Sequence, residues 1–396
     1  MVTAAILRLS LGDTAAMAKD QPAWSLVPDL RIGAVEDPRY VLEAVRYLVV
    51  GPHGRVYAAD PQAGNVLVFD RDGEFVRAIG RRGQGPGEFQ TISRIGLVGE
   101  RLWVADRLKS QITVFSADGD AISTRPLPRE LSLGTERPPR AFGMLADESI
   151  LALAEAAPFE AGGTVMQVLP LLRYVPGTMR PDTLLSLHRM PTSMVFPSQG
   201  QYRTAAFPLP RNNDRWSIAP DGSFVVVVRS VESQTTNAVT GYTVEAVDAS
   251  GRVVFRRQFN HTAIPVPEDL RDRIHGDFAS TLMRMEGGTR FGAVGRARDL
   301  LPIPKTRLAI DWIVVGSDGR IWLHRLDRPG VFVALNGQTG EVVGEASFPN
   351  ASYPGVGVDS ADDQFIWMVE RDNLDIPYIV RYRIVTGREQ VVRSAS

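Results

Sequence analysis

Alternation of apolar and polar residues, rather than helical spacing, dominates this chain. Runs such as "RVYAAD" and "NVLVFD" are short, rich in β-branched and aromatic residues, and bounded by turn residues, which predicts strands. One pattern, a polar turn followed by a β-prone run, occurs six times: "GPHGRVYAAD", "LVGERLWVAD", "LADESILALAE", "APDGSFVVVV", "GSDGRIWLHR" and "SADDQFIWMVE". These begin at 51, 97, 145, 219, 316 and 360, so the spacings are 46, 48, 74, 97 and 44 residues. A second pattern follows, strand, tight turn, strand, as in "NVLVFDRDGEFVRAIG", "QITVFSADGDAIS" and "VFVALNGQTGEVVGEASF". Its Asp-Gly and Thr-Gly turns tolerate the positive φ that hairpins need. Adding an inner strand to each copy gives six antiparallel sheets of four strands. Radial repetition is the known way to arrange that many short meanders. The predicted fold is all-β: a six-bladed β-propeller over residues 24–393, with 1–23 as a tail or degraded signal segment.

Between the first two copies lies "IGRRGQGPGEFQ" (79–90). A phosphate-binding loop would be followed by Lys-Ser or Lys-Thr and a helix; strand-like alternation follows instead. The stretch reads as the crossover from the rim of one blade to the axis of the next. Gly83, Gly85 and Gly87 would serve backbone geometry, and Phe89 would pin the loop. The sequence "VYAADPQAGNVLVFDRDGEFVRAIGRRGQGPGEF" resembles the NHL-repeat type of six-bladed propeller, closely over 42–128 and loosely beyond. The resemblance implies fold more than function, since that group spans axial-metal lyases and lactonases, peptide- and RNA-binding modules, and exported bacterial proteins. Its lactonases carry an early "E-G-P" supplying a metal-binding glutamate; Glu43 here stands in "VLEAVRYLVV", without the Gly-Pro.

"WSLVPDLRIG" (24–33) echoes the outer strand "EFVRAIG", so the N-terminal segment is expected to complete the last blade, in competition with "REQVVR" (388–393). The two long spacings predict insertions, 169–210 and 260–300. The first is rich in proline, methionine and aromatics, and is expected to cover a face or meet a partner. The second contains "PEDLRDRIHGDFASTLMRMEGG", with Leu270, Ile274, Phe278, Leu282 and Met285 on one helical face, acidic residues at its start and two glycines at its end. A helix packed on the propeller face is expected.

Composition narrows the chemistry. The net charge of −1 gives no reason to expect nucleic acid, and no apolar run reaches the length of a membrane span. With no cysteine, disulfides, thiolate metal sites and a cysteine nucleophile are excluded. Ala16-Met17-Ala18 resembles a signal-peptidase site, although Arg8 interrupts the apolar stretch before it, and a periplasmic or extracellular location is the expectation, with a cytoplasmic one as alternative. The five histidines are scattered. Asp60 and Asp106 end equivalent strands; they read as turn caps rather than a calcium ring, because Val228 and Arg325 occupy that position elsewhere. Tyr57, Trp103, Trp322 and Trp367 share one strand position and read as packing between blades.

Two functions remain. The first is a non-catalytic scaffold that meets a protein partner, an accessory subunit of an extracytoplasmic assembly. Its contact residues would be Arg81, Arg82, Tyr174, Met190, Met194, Phe196, Tyr202 and Phe207, and it needs no cofactor. The second is a metal-dependent hydrolase or lyase, with Glu43, Asp311, His324 and Asp359 around an axial calcium or zinc.

Overall fold

The computed structural model describes residues 22–34, 36–127, 139–153, 159–160, 166–178, 180–189, 193–198, 201–206, 213–232, 239–261, 264–286, 289–301, 303–348 and 358–386. Each repeat folds as one antiparallel meander. The first blade is Tyr47–Val50, Val56–Asp60, Asn65–Phe69 and Phe75–Ile79; the second is Ile92–Val98, Arg101–Asp106, Gln111–Phe115 and Ala121–Pro126. The third runs Arg140–Met144, Ile150–Leu153, Gln167–Tyr174, Asp182–Arg189, and the fourth Arg215–Ile218, Phe224–Glu232, Val239–Asp248, Val253–Asn260. Ile310–Val315, Ile321–Arg325, Val331–Leu335 and Val342–Ser347 form the fifth. In the sixth, Val358–Ala361, Phe365–Arg371 and Pro377–Thr386 are completed by Ala23–Ile32 from the other end of the chain. Four blades are separate sheets. The fifth and sixth merge into one eight-stranded sheet, because Ala23–Ser25 also pair in parallel with Glu345–Ser347.

The core lies between blades, in six apolar clusters that follow one another around the ring. The shared aromatic position sits in them: Tyr57, Trp103, Trp322 and Trp367 are all at most 5% exposed. Burying one large apolar side chain is worth roughly 1.5–3 kcal/mol, so the repeated pattern stabilises the ring at every interface. Ile32, Leu48, Phe69, Trp367 and Ile379 share the cluster between the sixth and first blades, which closes the circle.

The glycine stretch is the crossover. Phe89 is buried against Phe115, and its N–H and C=O bond Arg81 and Gly83. Gly80 and Gly87 have φ of 74° and 70°; Gly83 and Gly85 do not lie in the left-handed region.

The insertion over 169–210 is corrected in part. Residues 167–174 and 182–189 pair as the third and fourth strands of the third blade. The proline-bearing turn "YVPGTMRPD" replaces the Asp-Gly hairpin signal there and masks the strands on either side. What stands outside the blade is a small sheet, in which Ser193–Ser198 pairs with Gln201–Ala206 and, in parallel, with Phe159–Glu160. The second insertion leaves the propeller through a two-stranded neck, Ile264–Pro265 with Thr306–Arg307. It holds two helices rather than one, α1 (Glu268–Glu286) and α2 (Arg290–Leu300). The apolar face of α1 is satisfied by α2: Ile274, Phe278 and Leu282 are buried with Ala293, Ala297 and Leu301. No helix among the described residues is long and apolar enough to cross a membrane.

Candidate functional site

The inner strands of all six blades begin at the same end of the ring, so their first residues meet around one mouth. Below it runs an axial channel of about 500 Å³, walled by residues of every inner strand. Four of these strands are irregular near their start. Register shifts between Ile92 and Arg94, Ala141 and Gly143, Ile310 and Trp312, and Val358 and Ser360 leave Ser93, Phe142, Asp311 and Asp359 without a ladder partner. A bulge re-aims the side chain it frees, and these four line the mouth or the channel below it. Asp311 and Asp359 are bulge residues of neighbouring blades, Asp359 lying two residue pairs further along its strand, and together they bring two carboxylates to one cavity.

Their environments differ. Asp311 accepts a hydrogen bond of 2.6 Å from Nδ1 of the buried His324, whose Nε2 in turn accepts from the Gly330 N–H at 3.3 Å. Those contacts define the tautomer with the proton on Nδ1. His324 therefore holds Asp311 from within the sheet instead of presenting a nitrogen to the channel. Asp359 is half-buried in the channel wall, and loss of solvation pushes its carboxyl up to about 7. The Val369 N–H at 3.3 Å and the Arg94 guanidinium act against that rise.

The opposite side of the mouth is basic. Arg46, Arg94, Arg140 and Arg215 stand in or just before the inner strands of the first four blades, whereas Asp311 and Asp359 come from the last two. The spellings "VRYL", "SRIG", "PRAF" and "DRWS" held this signal, and only the aligned blades reveal it. Arg94 is flanked by two rings, with Tyr47 at 5.1 Å and Phe142 at 5.6 Å from its guanidinium carbon. Arg215 donates to the carbonyls of Asp311 and Asn213. Trp312, 40% exposed, presents its indole at the mouth.

Of the residues singled out from the sequence, Asp311 and Asp359 line the channel and His324 backs one of them. Glu43 departs from that expectation: its side chain is exposed, it is not part of the channel wall, and its backbone N–H donates to Asp60. Among the described residues no three of His, Asp and Glu converge as metal ligands. Asp60 and Asp106 each accept four backbone N–H bonds from the loops around them, so their charge is spent on turns.

The expected partner contacts are dispersed. Tyr174 is buried in the third blade, a correction that follows from its strand position. Arg81 pairs with Glu88, and Arg82 donates to the carbonyls of Pro61 and Gln62, so it props the turn beside the mouth. Met194, Phe196 and Tyr202 fall on the small outer sheet, while Met190 and Phe207 lie outside the described residues.

The DUF5128 family model, described as a 6-bladed beta-propeller, matches residues 46–133. A search of the curated proteins finds no match. Among solved structures, the chain is similar to virginiamycin B lyase from Staphylococcus aureus, with a TM-score of 0.44, 11% identity, and coverage of 90% of this chain and 99% of that one. A DUF4221 member from Bacteroides vulgatus gives a TM-score of 0.45 and 11% identity over 93% and 99% of the two chains. For a gluconolactonase from Xanthomonas campestris the values are 0.42, 14%, 92% and 99%.

Proposed function

We propose that this propeller is a non-catalytic interaction module of the NHL-repeat type, an accessory part of an assembly outside the cytoplasm, with the channel mouth as its working face. The observation that carries this reading is the convergence of aromatic and arginine side chains on one mouth, with Trp312 exposed among them. Exposed tryptophan and arginine are the residues that supply most energy in recognition sites. The sequence Ala16-Met17-Ala18 supports the export part of the reading. The test compares proteins co-purified from the native organism by the wild type and by Trp312→Ser. Loss of a specific partner with unchanged far-UV circular dichroism supports the module. An identical set of partners overturns it.

A second reading, a hydrolase or lyase, is favoured by one observation: two channel carboxylates, one of them held near neutrality by burial, are the raw material of acid–base chemistry. Metal analysis of protein purified without chelators tests it. A stoichiometric ion that is lost in the Asp311→Asn, Asp359→Asn double variant would favour catalysis over scaffolding.

A further inference from the structure

Above the channel, between the first three blades, lies a separate vestibule of about 480 Å³. That volume suits a small ligand. Four guanidiniums line it, those of Arg46, Arg94, Arg107 and Arg140, and no carboxylate belongs to its described lining. Tyr47, Arg94 and Phe142 border both cavities and form a collar between them. In the collar, the ring of Tyr47 from the first blade and that of Phe142 from the third flank the guanidinium of the second. Cation–π contacts on this scale orient a guanidinium while leaving its N–H edges available for hydrogen bonding. Neither Arg46 nor Arg94 forms an ion pair with a carboxylate among the described residues. The nearest acidic strand ends, Asp60 and Asp106, are at most 2% exposed and bound to backbone N–H groups, so they do not neutralise the cavity.

We infer that this vestibule is an oxyanion site, which takes a small molecule bearing two or more carboxylate or phosphate groups, with Arg94 as the fixed fork and Arg46 as a mobile second contact. The inference rests on the mouth being the working face and adds the chemistry it recognises. Arginine forks match both kinds of oxyanion. The acids of the mouth, Asp311 and Asp359, lie on the fifth and sixth blades and are not part of this cavity's lining, although the Arg94 guanidinium is close enough to Asp359 to favour its charged form.

Isothermal titration with citrate and, separately, with pyrophosphate tests this, in buffers brought to equal ionic strength with sodium chloride because screening alone changes apparent affinity. Saturable binding of either probe is expected. Arg94→Ala should weaken it by about tenfold or more, as losing a charge-assisted contact does, and Arg94→Lys should restore only part, since it keeps charge without the fork. Arg46→Ala, at an exposed side chain, gives a second variant should Arg94→Ala disturb the fold. Binding of citrate alone assigns a carboxylate ligand, and binding of pyrophosphate alone or of both assigns a phosphate-accepting site. If neither probe binds above chloride, or if binding survives both substitutions, the inference falls. Partner capture that still depends on Trp312 would then leave the interaction module standing, and loss of that dependence with polyanion binding intact would remove the module and keep the site.

Discussion

Single residues at the mouth and in the crossover carry most of the unusual physics. Asp359 is one: burial holds its carboxyl near 7 against an ordinary 3.8. The native state thus keeps a proton that the unfolded chain releases, so this group makes stability fall as pH rises from about 4 to about 7, with no further change above that. In Asp359→Asn this contribution vanishes. The stability difference between variant and wild type should grow across that window and level off. The side chain is only half-buried, so a gain on the order of 1–2 kcal/mol at pH 8 is expected from a shift worth about 1.4 kcal/mol per unit in the fully buried limit. Urea titrations at pH 4, 6 and 8 measure it, and a pH-independent difference would contradict the assignment. Gly80 is the second. At φ 74° an added Cβ would run into the Phe89 ring that pins the crossover. Gly80→Ala should cost about 1–3 kcal/mol from backbone strain alone, with the ring clash added. Gly83→Ala meets only the flexible Glu88 side chain and should cost far less, which denaturation midpoints will separate.

At the scale of elements, the sequence was readable wherever the repeat was regular. The second strand of every blade carries its apolar run and its turn, and four of the five hairpins between third and fourth strands announce themselves through a Gly-bearing turn, the sixth blade taking its fourth strand from the other end of the chain. The third blade was misread because proline chemistry took the place of that turn, and because residues 154–166 separate its second and third strands. The inner strands are short and the bulges that aim Asp311 and Asp359 have no sequence spelling of their own, since a register shift is a property of two paired strands. The arginine quartet was hidden for the same reason: four residues spread over 170 positions become one site only when blades are superimposed. The helices teach the converse lesson. A 3.6-residue period identified the apolar face of α1, yet periodicity does not name the surface that covers it, and α2 does. Phe278→Ala should therefore loosen this pair without opening the ring. Hydrogen exchange should accelerate through 268–300 while the blade strands stay protected; exchange spreading into the fourth and fifth blades would show that the helices brace the propeller.

For the whole molecule, the decisive feature is how the ring closes. A propeller built from consecutive meanders leaves its first and last blades joined only by side-chain packing, unless one strand crosses the seam. Ala23–Ile32 does so here, pairing antiparallel with Pro377–Thr386 and, over three residues, in parallel with the outer strand of the fifth blade. It thus binds the last blade into one piece and fastens that blade to its neighbour. Its inward residues are committed: Leu26 and Ile32 are at most 2% exposed, and Trp24 packs at a tilt against Trp322, ring centres 5.8 Å apart. Asp29 adds an ion pair of 2.8 Å with Arg381. Removing residues 1–33 should strip these contacts together, lower the melting temperature and broaden the transition, whereas removing 1–20 leaves the strand whole and should change neither. A point variant asks the same question without shortening the chain: Leu26→Ala should cost about 2–5 kcal/mol, as large-to-small changes in a core do, while Val27→Ala, on the exposed side of the same strand, should cost little. Differential scanning calorimetry of the four proteins decides the matter. Equal melting of the two truncations, or of the two alanine variants, would mean that the ring is held by inter-blade packing alone and that the crossing strand is no clasp.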